Sequence, residues 1–122
     1  MEKHILVIDD EPAVRNSFVL ALEDTEFLVT TASSGTEGLG KFNKSNYHLI
    51  FLDLKMPGMS GIETLREIRK KDKDVPVYII TAFAEEFFGG LKGLSHENIN
   101  FELMQKPIGM EAINELTHAL LG

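Results

Sequence analysis

Apolar residues recur along this chain in two rhythms. Short unbroken runs, "ILVI" at 5–8, "FLVTTA" at 27–32, "LIFL" at 49–52, "VYII" at 77–80 and "FELM" at 101–104, are rich in β-branched or aromatic residues and have the length of strands. Between them, apolar positions fall at three- and four-residue intervals: Val14, Phe18, Ala21 and Leu22, then Ile62, Leu65 and Ile68, and finally Ile113, Leu116 and Leu120. That spacing puts them on one face of a helix. The punctuation agrees with both rhythms. Pro12 follows Glu11 at a first helical turn, Ser33-Ser34-Gly35 caps a second helix, and Pro57-Gly58 followed by Ser60-Gly61 opens a third.

Strands alternating with helices imply right-handed crossovers, hence a mostly parallel sheet covered on both faces and an α/β class. One segment departs from the pattern. Residues 85–100, "EEFFGGLKGLSHENIN", should hold a fourth helix, yet Gly89, Gly90 and Gly93 each cost roughly 1 kcal/mol relative to Ala in a helix interior. The expectation is a short, frayed or displaced helix.

Composition narrows the picture. With 122 residues, 43% hydrophobic and 25% charged, one domain over 1–122 is expected to bury an adequate core. A formal charge of -7 argues against binding phosphate backbones or anionic lipid, so no nucleic-acid or membrane partner is expected. There is no cysteine, which excludes thiolate chemistry and suits a cytoplasmic location. The first apolar run stops at Asp9, far short of a signal-peptide core or a membrane span. Neither GxGxxG nor GxxxxGK[ST] occurs, so nucleotide binding has no support.

Ligands of an open parallel sheet collect outside the carboxyl ends of its strands. There the chain places Asp9 and Asp10 after the first strand, Asp53 after the third, Thr81 after the fourth and Lys106 after the fifth. Any one of these could be an ordinary turn or cap residue; chance would scatter them over both edges of the sheet. Adjacent carboxylates repel unless a cation sits among them. Mg²⁺ fits, since it takes one or two carboxylates together with waters and phosphate oxygens. Asp10 and Asp53 can supply the carboxylates, while the Lys106 ammonium and the Thr81 hydroxyl can hold an incoming phosphoryl group.

"VIDDEP", "DLKMPGMSG", "IITA" and "KP", in that order and over the whole chain, resemble the receiver domain of two-component response regulators. The resemblance implies a flavodoxin-like (βα)5 three-layer sandwich with a five-stranded parallel sheet of order 2-1-3-4-5. It implies Asp53 as phospho-acceptor, Asp10 as a direct Mg²⁺ ligand, Asp9 acting through water and the main-chain carbonyl of Lys55 as a further ligand. Thr81 becomes the switching hydroxyl, Lys106 the contact to the phosphoryl oxygen, and Lys106-Pro107 a cis bond. The implied function is a signalling switch, not an enzyme, although it assists its own phosphotransfer and aspartyl-phosphate hydrolysis. A sensor histidine kinase or phosphotransfer protein is the implied donor. Residues 83–120 would face a downstream protein, an output domain or a phosphorylation-dependent dimer partner. Two features depart from the family: Leu103 stands where an aromatic is usual, and the stretch from Thr81 to Lys106 is a few residues long.

Two other readings share the fold. A phosphorylation-independent interaction module would be favoured by a missing acidic residue. A haloacid-dehalogenase-type phosphatase would want a second Asp two positions past the nucleophile, where this chain has Lys55. Among the remaining residues, Glu11 is expected to serve the dipole of the first helix. His4, His48, His96 and His118 lack ligand spacing and read as structural or solvent-facing. "RKKDKD" at 69–74 reads as a solvated helix end, and Phe87 with Phe88 as either a docking patch or buried aromatics.

Overall fold

A computed structural model describes residues 2–122. Strands β1 (His4–Ile8), β2 (Leu28–Ala32), β3 (Leu49–Leu52), β4 (Val77–Thr81) and β5 (Glu102–Gln105) alternate with helices α1 (Pro12–Leu22), α2 (Gly35–Phe42), α3 (Gly61–Lys71), α4 (Phe88–His96) and α5 (Met110–Leu121). The strands pair in parallel in the order β2-β1-β3-β4-β5. This is the flavodoxin-like sandwich expected from the sequence. The runs at 27–32 and 101–104 each enter their strand one residue late, and Phe27 stays buried just outside β2.

Strand alternation sorts the core into two layers. Leu6, Ile8, Ile50, Leu52 and Ile79 face Ile62, Leu65 and Ile68 of α3 and Leu91 and Leu94 of α4. Ile5, Val7, Leu49, Phe51 and Ile80 face Phe18 and Leu22 of α1 and Ile113 of α5. Because β1 and β3 lie inside the sheet and are packed on both sides, the residues leaving them emerge from its buried core.

Helix α3 is the best specified of the five. Ser60 caps it, accepting from the Glu63 N–H, while the Glu63 carboxylate accepts from the Ser60 N–H, a reciprocal box with basic residues in the last turn. Its C-terminal end differs from the expected solvated run. Lys70 and Lys71 are exposed, but Arg69 is buried, and its guanidinium donates to the carbonyls of Asp72, Val75 and Asn100. The planar fork has five donors and finds acceptors in two loops at once, which water outside the helix would not hold in place. Helix α4 is short, as expected, and its N-cap Phe87 makes no side-chain cap hydrogen bond. Phe87 is partly buried against the core, whereas Phe88 is 66% exposed.

Candidate functional site

At the carboxyl edge of the sheet, Asp9, Asp10, Glu11 and Asp53 each present an oxygen within 4.8 Å of the others. β1 delivers the first three and β3 the fourth, held in register because the Asp53 N–H donates to the carbonyl of Ile8 at 2.9 Å. Among the described residues, Lys106, which follows β5, is the cation that reaches these carboxylates. Its Nζ lies 2.8 Å from Glu11 Oε1, 3.0 Å from Asp9 Oδ2 and 3.5 Å from Asp53 Oδ1. The Lys106-Pro107 bond is cis.

Each carboxylate is held differently. Asp9 is buried; its Oδ1 accepts from the Glu11 N–H at 2.9 Å, and its carbonyl accepts from the Arg15 guanidinium at 2.8 Å. Asp53 is 3% exposed, and its Oδ1 accepts from the Leu54 N–H at 3.0 Å. Asp10 is half-buried and Glu11 exposed.

Burial, then the charge of Asp9 and, less strongly, that of Asp10, pushes the Asp53 carboxyl up to about 7 despite the opposing pull of Lys106. Burial likewise raises Asp9. Burial by itself would lower Lys106, but hydrogen bonds to Glu11 and Asp9 and the charges of Asp9 and Asp53 outweigh it and keep the ammonium protonated. Four clustered carboxyl groups sharing one ammonium leave a surplus of negative charge that a divalent cation would neutralise. Short oxygen-only donors in this arrangement fit Mg²⁺ better than a soft metal.

Thr81 is fully buried, and its hydroxyl oxygen accepts from the Phe83 N–H at 2.9 Å, leaving its own proton free to donate elsewhere. The Lys55 side chain points along the rim. Its ammonium sits 4.4 Å from the centre of the Phe83 ring and 3.3 Å from Glu86 Oε2. A cavity of about 440 Å³ opens there between Asp10, Asp53, Lys55, Pro57 and Phe83. Gly58, at φ 77°, turns the β3–α3 loop, whose Lys55, Met56 and Pro57 line that cavity.

The structure thus brings together Asp9, Asp10, Asp53 and Lys106 and sets Thr81 at the end of β4. It adds to the reading of Glu11: the residue stands at the N-cap of α1 without a side-chain cap bond, and its carboxylate also pairs with Lys106. Phe83 is the residue that sequence reasoning passed over. Only its position two residues past Thr81 could have flagged it.

The family model described as response regulator receiver domain matches residues 5–118. The chain belongs to this receiver family. The alkaline phosphatase synthesis transcriptional regulatory protein PhoP of Bacillus subtilis is 35% identical over 121 residues, 99% of this chain and 49% of its own length. The transcriptional regulatory protein ResD of the same organism is 44% identical over 85 residues, 70% of this chain and 35% of its own. This receiver chain therefore spans half or less of these curated relatives. Among solved structures, the response regulator protein TrrA of Thermotoga maritima, in complex with Mg(2+)-BeF, matches with a TM-score of 0.79 and 36% identity, covering 98% of this chain and 99% of that one. Phosphorylation-dependent signalling is the general function of receiver domains, which are signalling modules and bind Mg²⁺ at an acidic pocket. Among the described residues no helix is long and apolar enough to cross a membrane.

Proposed function

We propose that residues 1–122 form one phosphorylation-dependent switch in which Asp53 accepts a phosphoryl group from a sensor histidine kinase or phosphotransfer protein of the cytoplasm. The observation that carries this reading is the buried Asp53 carboxyl beside three further carboxylates and one ammonium, at the end of a central strand. Asp10, Asp53 and the main-chain carbonyl of Lys55 would hold Mg²⁺, with Asp9 acting through water. When bound, the ion would neutralise charge on the phosphoryl oxygens and restore Asp53 to its nucleophilic, ionised form.

Asp53 supplies the attacking oxygen, aimed by the Leu54 N–H on its Oδ1. A P–O bond forms as the bond from phosphorus to the donor's imidazole nitrogen breaks, and the imidazole leaves with its electron pair. Such transfers need positioning and charge stabilisation more than covalent help. Lys106 would exchange its carboxylate partners for a phosphoryl oxygen, and the free proton of Thr81 would donate to another. The phosphoryl group adds about two negative charges. The resulting shift would be read on residues 83–120 by an output domain, a downstream protein or a second copy of the chain. The same site would assist hydrolysis of its own aspartyl-phosphate without making the domain an enzyme for a separate substrate.

Intact-mass measurement after incubation with a small acyl phosphate tests this. The expected result is one phosphoryl adduct on the parent protein that requires Mg²⁺ and is absent from Asp53→Asn. Equal labelling of both proteins would reject Asp53 as acceptor. No labelling of either would favour an interaction module that works without phosphate.

A further inference from the structure

Gly61 opens α3 directly behind the acceptor. A Cβ at this position would lie 2.7 Å from Leu54 Cα and 3.0 Å from the Asp53 carbonyl carbon, and closer still to the Asp53 carbonyl oxygen. All three are backbone atoms, so no rotamer change could relieve the collision. The requirement here is room for a close backbone approach. The approach is also bonded: the Gly61 N–H donates to the Leu54 carbonyl at 2.8 Å.

The peptide that Gly61 crowds is the one joining Asp53 to Leu54. Its N–H is the donor that aims the Asp53 carboxylate through Oδ1. The carbonyl that Gly61 binds belongs to the next peptide, the one leading into Lys55. A single position with no side chain therefore sets the planes of two successive peptides, one orienting the acceptor and the other leading to the Lys55 carbonyl.

We infer that Gly61 is a positioning residue for phosphoryl transfer, holding the Asp53–Leu54 peptide against the start of α3 so that the carboxylate and the Lys55 carbonyl face the incoming ion and phosphoryl group together. The inference rests on Asp53 being the acceptor. Added bulk would rotate the peptide, and displacements on the order of 1 Å at a reacting group cost about 100-fold in rate.

The test is Gly61→Ala in a background carrying Gly40→Ala and Gly89→Ala, two helical glycines with nothing within 4 Å of an added Cβ. Those two changes offset destabilisation without touching the site. Gly38→Ala is the matched control, because its Cβ would meet a side chain rather than backbone, that of the buried Ile8, with Cγ1 at 2.7 Å. Mg²⁺ affinity is measured by calorimetry on unphosphorylated protein, the Leu54 amide by NMR, and phosphoryl uptake from acetyl phosphate by intact mass. Gly61→Ala is expected to bind Mg²⁺ at least tenfold more weakly, to take up phosphate at least tenfold more slowly and to shift the Leu54 amide. Gly38→Ala is expected to lose thermal stability while keeping its Mg²⁺ affinity within twofold.

Three results would overturn the inference: Gly61→Ala within twofold of its background in both affinity and rate, an equal loss of affinity in Gly38→Ala, or failure of Gly61→Ala to fold even in that background, which would make it a packing residue only. Should the background take up no phosphate while Gly61→Ala still weakens Mg²⁺ binding, the acceptor reading fails and the positioning of the metal-binding loop stands.

Discussion

Asp53 in its ionised form is held against burial and against two neighbouring carboxylates, so the metal-free protein gains stability when the group takes a proton. The sign is opposite to that of a salt-bridged Asp. With the folded value raised to about 7 above an unfolded value of about 3.9, the destabilisation is fully present above pH 7. It fades as pH falls through that range and is gone below the unfolded value. Asp53→Asn, which is neutral at every pH, is therefore expected to unfold at a higher temperature than the parent at pH 8, by the equivalent of up to about 4 kcal/mol. The difference should close toward pH 4. Adding Mg²⁺ should raise the parent's midpoint more than the variant's. Thermal melts across pH with and without Mg²⁺ provide the check. A variant less stable than the parent at pH 8 would mean that Lys106 outweighs the burial and repulsion acting on Asp53.

Contrasting helices face each other across one side of the sheet. α3 has a capping box, a complementary dipole and three apolar residues in the core. α4 has no side-chain cap, carries three glycines and buries only Leu91 and Leu94. What anchors α4 lies mostly at its C-terminal end, where Arg66 of α3 pairs with Glu97 at 2.7 Å and Arg69 binds the carbonyl of Asn100. At its N-terminal side stands the exposed pair Lys55–Glu86, worth less than about 1 kcal/mol. Because Gly89 has open space around it, Gly89→Ala should stabilise the protein by about 0.5 to 1 kcal/mol. Gly90→Ala should gain less, since its Cβ would press on Ile62 at 3.2 to 3.3 Å. Chemical denaturation of the two variants would show the order. Equal gains would mean that Ile62 yields freely.

Across the whole molecule, the acceptor and the weakest helix meet at Lys55 and Phe83, which border the cavity over Asp53 while Lys55 also holds Glu86. Segments of low local stability are those a bound group most cheaply reorders. Beside them, Leu103 of β5 is 46% exposed and lines a groove with Phe88, Leu91 and Phe101. A leucine there has no ring to swing and no hydroxyl to offer a partner. Beryllofluoride with Mg²⁺, as a phosphoryl mimic on Asp53, is therefore expected to change hydrogen exchange chiefly in residues 83–100. The change should be larger before Gly90 than around Glu97, where the arginines hold. Constant protection over 83–100, with changes confined to β5 and α5, would place the response elsewhere.

What the sequence determined by itself was local or periodic. The apolar runs and helical spacings declared five strands and the helices between them, and parallel pairing then carried Asp9, Asp10, Asp53, Thr81 and Lys106 to one edge of the sheet. The three glycines of residues 85–100 announced a short fourth helix because backbone entropy acts residue by residue. The tertiary structure decided whatever depended on partners far along the chain. Glu11 reads as a helix-dipole residue until Lys106, 95 positions away, supplies an ammonium at 2.8 Å. Arg69 reads as solvated until the carbonyl of Asn100 arrives from the α4–β5 loop. Phe87 and Phe88 are equivalent as letters, and only the docking of α4 turns the first toward the core and the second toward water. Gly61 looks like a turn residue, yet packing brings the acceptor's own peptide against it. Propensity and period are properties of neighbouring residues, whereas the pairing of a charge and the room for a side chain belong to groups that only the folded chain brings together.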